Sequence, residues 1–203
     1  ARINSGNTLT LNGCLFTGSI TYSDENAYEG RGMVGWAQDN TIAKFYDCVF
    51  APSAISITKY QDQYMFVASY EDYVTRTIDN CYYNDGANAT SMTKEGKHGH
   101  SITAGDDVTI SGLGTESATY SVSGITTYSH GIKYNGNYYA ENEDEVSLSL
   151  SHNEKTGYTF SQYTVTGGGT LANPSTNTPT LTMTDADQTI GAVWTRNMVT
   201  LTD

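Results

Sequence analysis

The feature that most constrains the fold is a repeat that carries one cysteine per period. Cys14, Cys48 and Cys81 lie 34 and 33 residues apart, and their neighbouring residues match. In each repeat an Asn or Asp lies within two residues before the cysteine, and an aromatic residue follows two positions after it. Self-similarity with a period of about 20–50 residues is typical of stacked repeat architectures. The three matching segments are 11–16, 46–50 and 78–83.

The composition indicates that each period is built from strands. The chain has 16 Tyr and 20 Gly but only 3 Pro, and charged residues make up 16% of it. Thr and Tyr favour strands, whereas Gly and Asn favour the turns between them. We therefore expect an all-β protein. Residues 1–95 are predicted to form a short right-handed parallel β-helix of about three coils, followed at 96–203 by a small antiparallel β domain.

The cysteines are predicted to form a buried column. Equivalent residues of successive coils stand about 4.8 Å apart, and a free cysteine behaves as a small apolar group. The residue at Cys+2 has the same strand parity, so Phe16, Phe50 and Tyr83 should also face inward. A metal or redox site made of the three thiols is the alternative. It is disfavoured because metal ligands must face a common point rather than a line.

A second element, 32–36 and 64–68, precedes the later cysteines. Together the two elements resemble the Gly-rich repeats of large bacterial surface proteins, in which Gly-Gly-Leu/Ile-Val-Gly is followed by Ile-x-Asn-Cys-Tyr/Phe. The resemblance covers residues 9–90, although 65–68 lacks the glycines, and a last coil ending near Asn88 is interpreted as a cap. It implies this architecture and an adhesin-like role. Nearby aromatic residues are expected to pack at the coil corners, with a ligand-stacking strip as the alternative: Trp36, Tyr60, Tyr64, Tyr70 and Tyr73.

The second half of the chain has a different pattern. Segment 94–99 is interpreted as a linker, and short alternating strands follow it. Strict alternation indicates half-buried strands that share one core. Asn135-Gly136 between aromatic strand ends predicts a hairpin. The residues expected in the core are Leu148, Leu150, Phe160, Val165, Leu181, Met183, Ile190 and Trp194.

Residues 131–195 resemble the internalin B-type repeat. The resemblance is carried by 157–165, 181–187 and 192–194, which follow Gly-Tyr-x-Phe-x-x-Trp, a Thr-Met-Pro-x-x-Asp turn and a closing Ala-x-Trp. Tyr163 replaces the usual Trp, and Thr184 replaces the Pro. The resemblance implies a β-grasp-like module on secreted or wall-attached bacterial proteins, acting as a spacer or adhesive unit without catalytic residues.

The charge balance excludes some classes of partner. A net charge of −12 leaves no basic face for the phosphate backbone of a nucleic acid. No stretch approaches the roughly 20 apolar residues that span a bilayer, so membrane insertion is not expected. The polar start of the sequence carries no secretory signal, which favours a piece of a longer protein.

The candidate metal ligands are weak. His98 and His100 lie on one face of a strand, but only Asp106 or Asp107 offers a third ligand. The acidic run 141–145 lacks the spacing of an EF-hand calcium loop and is interpreted as a solvated turn. The residues 185–187 are also interpreted as a turn. No metal, cofactor or catalytic residue is assigned.

Polysaccharide hydrolysis or lysis would need aligned carboxylates, or a carboxylate and a base. The carboxylates of the repeats are scattered, and the basic residues at similar repeat positions would form one weak strip. We therefore expect a non-catalytic stalk and adhesion or interaction module, extracellular or at the cell surface, with a host or cell-wall glycan or protein as partner. The alternatives are a carbohydrate-binding module and a remnant of a polysaccharide-active β-helix. The groups considered are Asp47, Asp62, Asp72, Asp79, Lys44, Lys59 and Arg76.

Overall fold

The computed structural model describes residues 2–22, 32–57, 63–67, 73–83, 92–93, 96–114, 120–122, 125–128 and 130–198. The chain divides into two compact units. The first comprises Ala1–Gly99 and Tyr120–Thr127, and the second comprises His100–Thr119 and Tyr128–Asp203. Every named element in the described residues is a β-strand, which confirms the all-β class. The described part of the chain holds no helix with the length and hydropathy that a bilayer crossing requires.

The strands described up to Gly99 have two to six residues each. They are β1 (Arg2–Ile3), β2 (Thr8–Asn12), β3 (Leu15–Phe16), β4 (Ser19–Tyr22), β5 (Trp36–Ala37), β6 (Thr41–Tyr46), β7 (Val49–Phe50), β8 (Ala54–Ile57), β9 (Gln63–Tyr64), β10 (Val74–Asp79), β11 (Tyr82–Tyr83), β12 (Met92–Thr93) and β13 (Lys97–His98).

These strands pair in parallel, and the partners are separated by about one sequence period. β6 lies between β2 and β10, with Thr10 opposite Lys44 and Lys44 opposite Thr77. A second ladder runs in the order β13-β11-β7-β3, and three two-stranded ladders join β1 to β5, β4 to β8 and β9 to β12. β13 and the Gly99 N–H, which donates to the Tyr83 carbonyl at 2.9 Å, extend this pairing. The predicted linker at 94–99 is therefore wrong for residues 97–99.

The corner before each cysteine has the same backbone conformation. Gly13, Asp47 and Asn80 each directly precede a cysteine and have φ values of 61°, 51° and 49°. Gly, Asn and Asp are the residues that adopt this left-handed region most readily. The Asn80 side-chain amide donates to the Asp47 carboxylate at 2.6 Å, which links two successive corners. The residue directly before each cysteine is thus one that tolerates this backbone conformation.

The cysteines stack in the core of the first unit, as predicted. Cys48 and Cys81 are buried, whereas Cys14 is half-buried. Each thiol lies near the carbonyl oxygen two residues earlier, at 3.6 Å for Cys14 and at 3.2 Å for Cys48 and for Cys81. Phe50 and Tyr83 are buried, and Phe16 packs against the same core. A small residue with a weak S–H donor fits this position.

The second unit is mainly antiparallel. Its strands are β14 (His100–Ala104), β15 (Val108–Gly112), β18 (Gly131–Tyr134), β19 (Asn137–Ala140), β20 (Glu145–Ser147), β21 (Ser149–His152), β22 (Tyr158–Thr166), β23 (Thr170–Ala172), β24 (Thr180–Thr182) and β25 (Gln188–Arg196). Two further strands, β16 (Tyr120–Val122) and β17 (Ile125–Tyr128), form a hairpin that belongs almost wholly to the segment Tyr120–Thr127 of the first unit.

The main sheet of the second unit has β18, β19, β14, β25 and β22 in that order, and β14 pairs with β25 in parallel. β20, β24 and β23 form a second sheet, and β15 pairs with β21. The predicted Asn-Gly hairpin joins β18 to β19, with positive φ at Asn135 and Gly136. Of the predicted core residues, five are buried, namely Leu148, Leu150, Leu181, Met183 and Ile190.

Candidate functional site

An irregularity in β22 determines which aromatic side chains meet. Phe160 pairs with Trp194, and Gln162 pairs with Val193, which is directly adjacent to Trp194 in β25. Ser161 therefore has no partner position and is an extra residue in β22. Such a β-bulge shifts the alternation of side chains by one position. Phe160 and Tyr163, three residues apart, therefore lie on the same face of the sheet, with 4.7 Å between their ring centroids.

The rings on this face form a packed cluster. The His152 imidazole, at the end of β21, stacks on Phe160 with centroids 3.9 Å apart and an interplanar angle of 8°. Trp194 meets both rings edge to face, at 5.4 Å from His152 and 5.7 Å from Phe160. These are the arrangements that aromatic quadrupoles favour. The cluster thereby fixes the orientation of each ring.

The hydroxyl of Tyr163 connects the ring cluster to its surroundings through hydrogen bonds. The Tyr163 side chain is buried, and its hydroxyl lies 2.9 Å from His152 Nδ1. The same hydroxyl donates to the Asn177 amide oxygen at 3.3 Å. Burial raises the pKa of Tyr163, so this hydroxyl keeps its proton at neutral pH. Tyr163 therefore acts as an aromatic plug in place of the Trp of the resembled pattern.

A pocket of about 300 Å³ opens beside the cluster, and we call it the aromatic pocket. Its edge is the 40% exposed ring of Tyr158, which shares a face of β22 with Phe160. The Lys155 ammonium lies 5.6 Å from the Tyr158 ring centroid and 3.6 Å from a carboxylate oxygen of Asp107. The lining residues are His152, Glu154, Lys155, Thr156, Tyr158, Thr159, Phe160 and Trp194.

The pocket combines ring surfaces with polar groups of both kinds. Among the lining residues, Glu154 carries an acceptor, Lys155 carries donors, and the Thr156 hydroxyl can act as both. Thr159 alternates with Tyr158 and Phe160 along β22, so its hydroxyl lies on the other face, where it donates to the Asn197 amide oxygen at 2.7 Å. This arrangement suits a small ligand that has an apolar face and several hydroxyl groups.

A buried glutamine organises the turn between β24 and β25. Gln188 is 0% exposed. Its amide nitrogen donates to the Gly167 carbonyl at 3.1 Å and to the Thr184 hydroxyl at 2.8 Å, and its amide oxygen accepts from the Gly169 N–H at 2.9 Å. The turn predicted at 185–187 is therefore held by the side chain of the residue that follows it, Gln188.

The two histidines of the predicted pair belong to different strands. His98 lies in β13, whereas His100 begins β14 and is buried with its Nε2 atom 2.8 Å from an Asp185 carboxylate oxygen. Asp187 accepts a hydrogen bond from the Ser101 backbone N–H at 2.6 Å. His100 and the 185–187 turn thus belong to a structural contact. In the described residues no three His, Cys, Asp or Glu side chains are placed to hold a metal.

The acidic run is a hydrogen-bonded turn. The Glu141 N–H donates to the Asp144 carboxylate at 3.0 Å, and the Asp144 N–H donates to the Glu141 carbonyl at 3.1 Å. Glu143 has a positive φ of 70°, and its N–H donates to the Met183 carbonyl at 3.2 Å. The run is therefore the solvated turn that the sequence predicted.

The prediction that Lys44 and Arg76 form part of a basic strip is wrong. Lys44 pairs with Thr77, whereas Arg76 pairs with Ala43, so the two side chains have opposite strand parity. Asp47 lies in the corner described above, and Asp79 ends β10. The other groups considered, Asp62, Asp72 and Lys59, lie outside the described residues, as do Tyr60 and Tyr70.

The three thiols of the cysteine column differ in pKa. The Cys48 backbone N–H donates to the Cys81 sulfur at 3.4 Å. The hydrogen bond with Cys48, together with burial, raises the pKa of Cys81 well above its ordinary value. Burial also raises the pKa of Cys14. The hydrogen bond with Cys81 lowers the pKa of Cys48 to about 7. The raised pKa values make Cys14 and Cys81 poor nucleophiles and poor metal ligands at neutral pH.

The aromatic pocket was missed by the sequence reasoning. Trp194 and Phe160 were predicted only as core residues, yet both line the pocket, and Trp194 is half-buried. The spacing of Phe160 and Tyr163 is the feature of the sequence that could have indicated the cluster. Two residues three apart in a regular strand point to opposite faces, and they share a face only where a bulge lies between them. The 153–157 connection that supplies Glu154 and Lys155 gave no signal of its own.

Residues 120–198 match a family model described as the divergent InlB B-repeat domain. The match confirms the B-repeat part of the resemblance and begins earlier than the predicted residue 131. InlB-type B-repeat domains are typical of bacterial surface proteins. The matched residues hold the aromatic pocket and do not extend to the cysteine repeats, whose resemblance is unsupported. No curated protein and no solved structure matches the chain significantly.

Proposed function

We propose that the chain is a non-catalytic part of a secreted or cell-surface bacterial protein, in which a β-helical stalk carries an adhesion or interaction module. The observation that carries this proposal is the match of residues 120–198 to the divergent InlB B-repeat domain. A module of this kind in the same chain as a stacked repeat suits a display role, since repeat architectures are extended along the direction of the stack.

The β-helical part rests on the parallel ladders. β2, β6 and β10 pair in register, as do β3, β7 and β11. Each step from one ladder strand to the next consumes about one period and advances the stack by about 4.8 Å. Crossover connections between parallel strands are right-handed in nearly all proteins. We infer a right-handed parallel β-helix of about three coils.

Spin labels test the stacking. Thr8 and Thr75 are exposed and both pair with Ile42, so a parallel stack places their Cα atoms two strand spacings, or about 10 Å, apart. Cysteine replacements at both positions in a C14A background, which removes the half-buried thiol, should give strong dipolar broadening in the electron paramagnetic resonance spectrum. Each single label is the matched control. A doubly labelled chain without broadening would contradict the β-helix.

A binding array tests the interaction role. The whole chain is applied to host glycans, bacterial wall glycans and extracellular-matrix proteins, once with calcium and once with a chelator. We expect saturable binding to at least one class, unchanged by the chelator. Blank arrays under both conditions would overturn the interaction role and leave a spacer.

Two alternative functions are a polysaccharide-active enzyme and a carbohydrate-binding module. A polysaccharide-active enzyme would release reducing ends or unsaturated products from polysaccharides, and measurable turnover by the chain would overturn the non-catalytic proposal. A carbohydrate-binding module is favoured by one specific feature, the exposed ring of Tyr158 at the edge of a pocket with hydroxyl and charged groups.

A further inference from the structure

We propose that the aromatic pocket of the second unit is a carbohydrate site that holds one neutral pyranose residue of a glycan. The inference rests on the proposed interaction role of the module and names the ligand class for that role. Its basis is the combination of ring surface, size, polar groups and charge that the pocket presents.

The size of the pocket limits the ligand to a small unit. Ligand pockets in proteins span about 300–1,000 Å³, and the aromatic pocket, at about 300 Å³, is at the lower end of that range. Since Tyr158 at its edge is 40% exposed, the pocket is accessible from solvent. One ring of a longer glycan can enter while the rest of the chain remains in solvent.

The rings supply an apolar surface that is already ordered. The stack of His152 on Phe160 and the hydrogen bond between His152 and Tyr163 hold the cluster before any ligand binds. The Lys155 ammonium lies against Tyr158 and near Asp107, which restrains the edge as well. The C–H face of a pyranose packs on such rings, and a preorganised site loses little conformational entropy when the ligand binds.

The polar groups match hydroxyls rather than a single charge. Sugar hydroxyls donate and accept, and the pocket offers the Glu154 carboxylate, the Lys155 ammonium and the Thr156 hydroxyl to them. A cationic ligand would meet Lys155 at the Tyr158 ring, where a cation already lies. An anionic ligand would meet Glu154 and a chain with a net charge of −12. A neutral polyol avoids both repulsions.

Tryptophan fluorescence provides the assay. The chain has two Trp residues, so a Trp36→Phe background leaves Trp194, in the pocket wall, as the reporter. Methyl glycosides of glucose, galactose, mannose and N-acetylglucosamine are titrated into the whole chain. We expect a saturable change with at least one glycoside. In the wild-type chain, the Thr156 and Thr159 amide signals in NMR spectra should shift with the same dissociation constant.

Variants at two equally exposed positions separate a specific site from a general effect. Tyr158→Ala should weaken binding about two- to tenfold, since one aromatic contact contributes about 0.5–1.5 kcal/mol. Tyr158→Phe, which keeps the ring, should retain most of the affinity. Val193 is 41% exposed and neighbours Trp194 on the opposite face of β25, so Val193→Ala should leave binding unchanged. Equal losses in Tyr158→Ala and Val193→Ala would overturn the proposal.

The arrays separate failure of this inference from failure of the proposed function. Binding of protein partners with no response to any glycoside or glycan overturns the carbohydrate site and leaves the interaction role intact. Blank arrays together with blank titrations overturn both. Host and bacterial wall glycans are separate arms, and binding in either one that Tyr158→Ala weakens supports the site and identifies the source of the sugar.

Discussion

Truncation of one core ring measures how much the packing of the first unit contributes to its stability. Phe50 is 0% exposed and stands between Phe16 and Tyr83 in the ladder. Its ring stacks on Phe16 at 5.4 Å and contacts Phe66 at 6.4 Å. The substitution Phe50→Ala removes this burial and both ring contacts. Phe16→Ala is the matched control, because Phe16 occupies the same repeat position but is only half-buried.

The expected cost follows from these contacts. Full burial of a Phe side chain contributes about 1.5–3 kcal/mol, and each of the two ring contacts contributes about 0.5–1.5 kcal/mol. The sum of roughly 2.5–6 kcal/mol overlaps the range of about 3–5 kcal/mol observed for Phe→Ala in protein cores. Phe16→Ala removes a side chain that is less buried and makes one of these contacts, so a smaller cost of roughly 1.5–4 kcal/mol is expected.

Urea denaturation monitored by Trp36 in a Trp194→Phe background reports on the first unit. The midpoint of the Phe50→Ala transition should lie well below that of Phe16→Ala, with similar slopes, because the slope follows the surface exposed on unfolding. Equal costs for the two substitutions, or a cost below about 1 kcal/mol for Phe50→Ala, would refute the assignment of Phe50 to the interior of the stack.

Three further predictions concern thiols, a buried amide and a glycine. Because Cys14 is half-buried and burial raises its pKa, a disulfide reagent should modify one thiol per native chain, at a rate that still increases above pH 9, and three thiols in urea. Gln188→Met should cost about 2–4 kcal/mol, since it leaves buried backbone groups without partners, whereas Gln162→Met on the exposed side of β22 should stay within about 0.5 kcal/mol in the same melts. Gly167→Ala should destabilise the protein more than Gly136→Ala in thermal unfolding, because both have positive φ but only at Gly167 would an added Cβ clash with the backbone, at the Asp187 carbonyl.

The repeat half shows how local chemistry makes a fold predictable. The residue before each cysteine must adopt a left-handed conformation, and the cysteine must be small enough to stack on its equivalents. Both requirements recur in every period, so they leave a signal in the sequence. The linker prediction failed at residues 97–99 because the backbone of this segment pairs with β11. Main-chain hydrogen bonds can form with almost any side chain on the residue. β13, the fourth strand of this ladder, has no cysteine, so the sequence does not mark it as part of the repeat.

The module shows the opposite case, in which the decisive feature is a single extra residue. Strict alternation along β22 would place Phe160 and Val165 on opposite faces, although both were predicted in one core. Ser161 resolves the conflict, because the bulge brings both residues to the face that Tyr163 shares.

The same bulge positions the aromatic pocket. Phe160 and Trp194 become partners at the end of the ribbon, and the polar 153–157 connection lies beside them. The Gly-Tyr-x-Phe-x-x-Trp pattern contains the spacing of Phe160 and Tyr163, and the bulge at Ser161 is the structural reason for that spacing. Deletion of Ser161 should therefore turn Phe160 to the opposite face, where it can no longer stack on His152. If the glycoside response survived that deletion, the bulge would not be what builds the site.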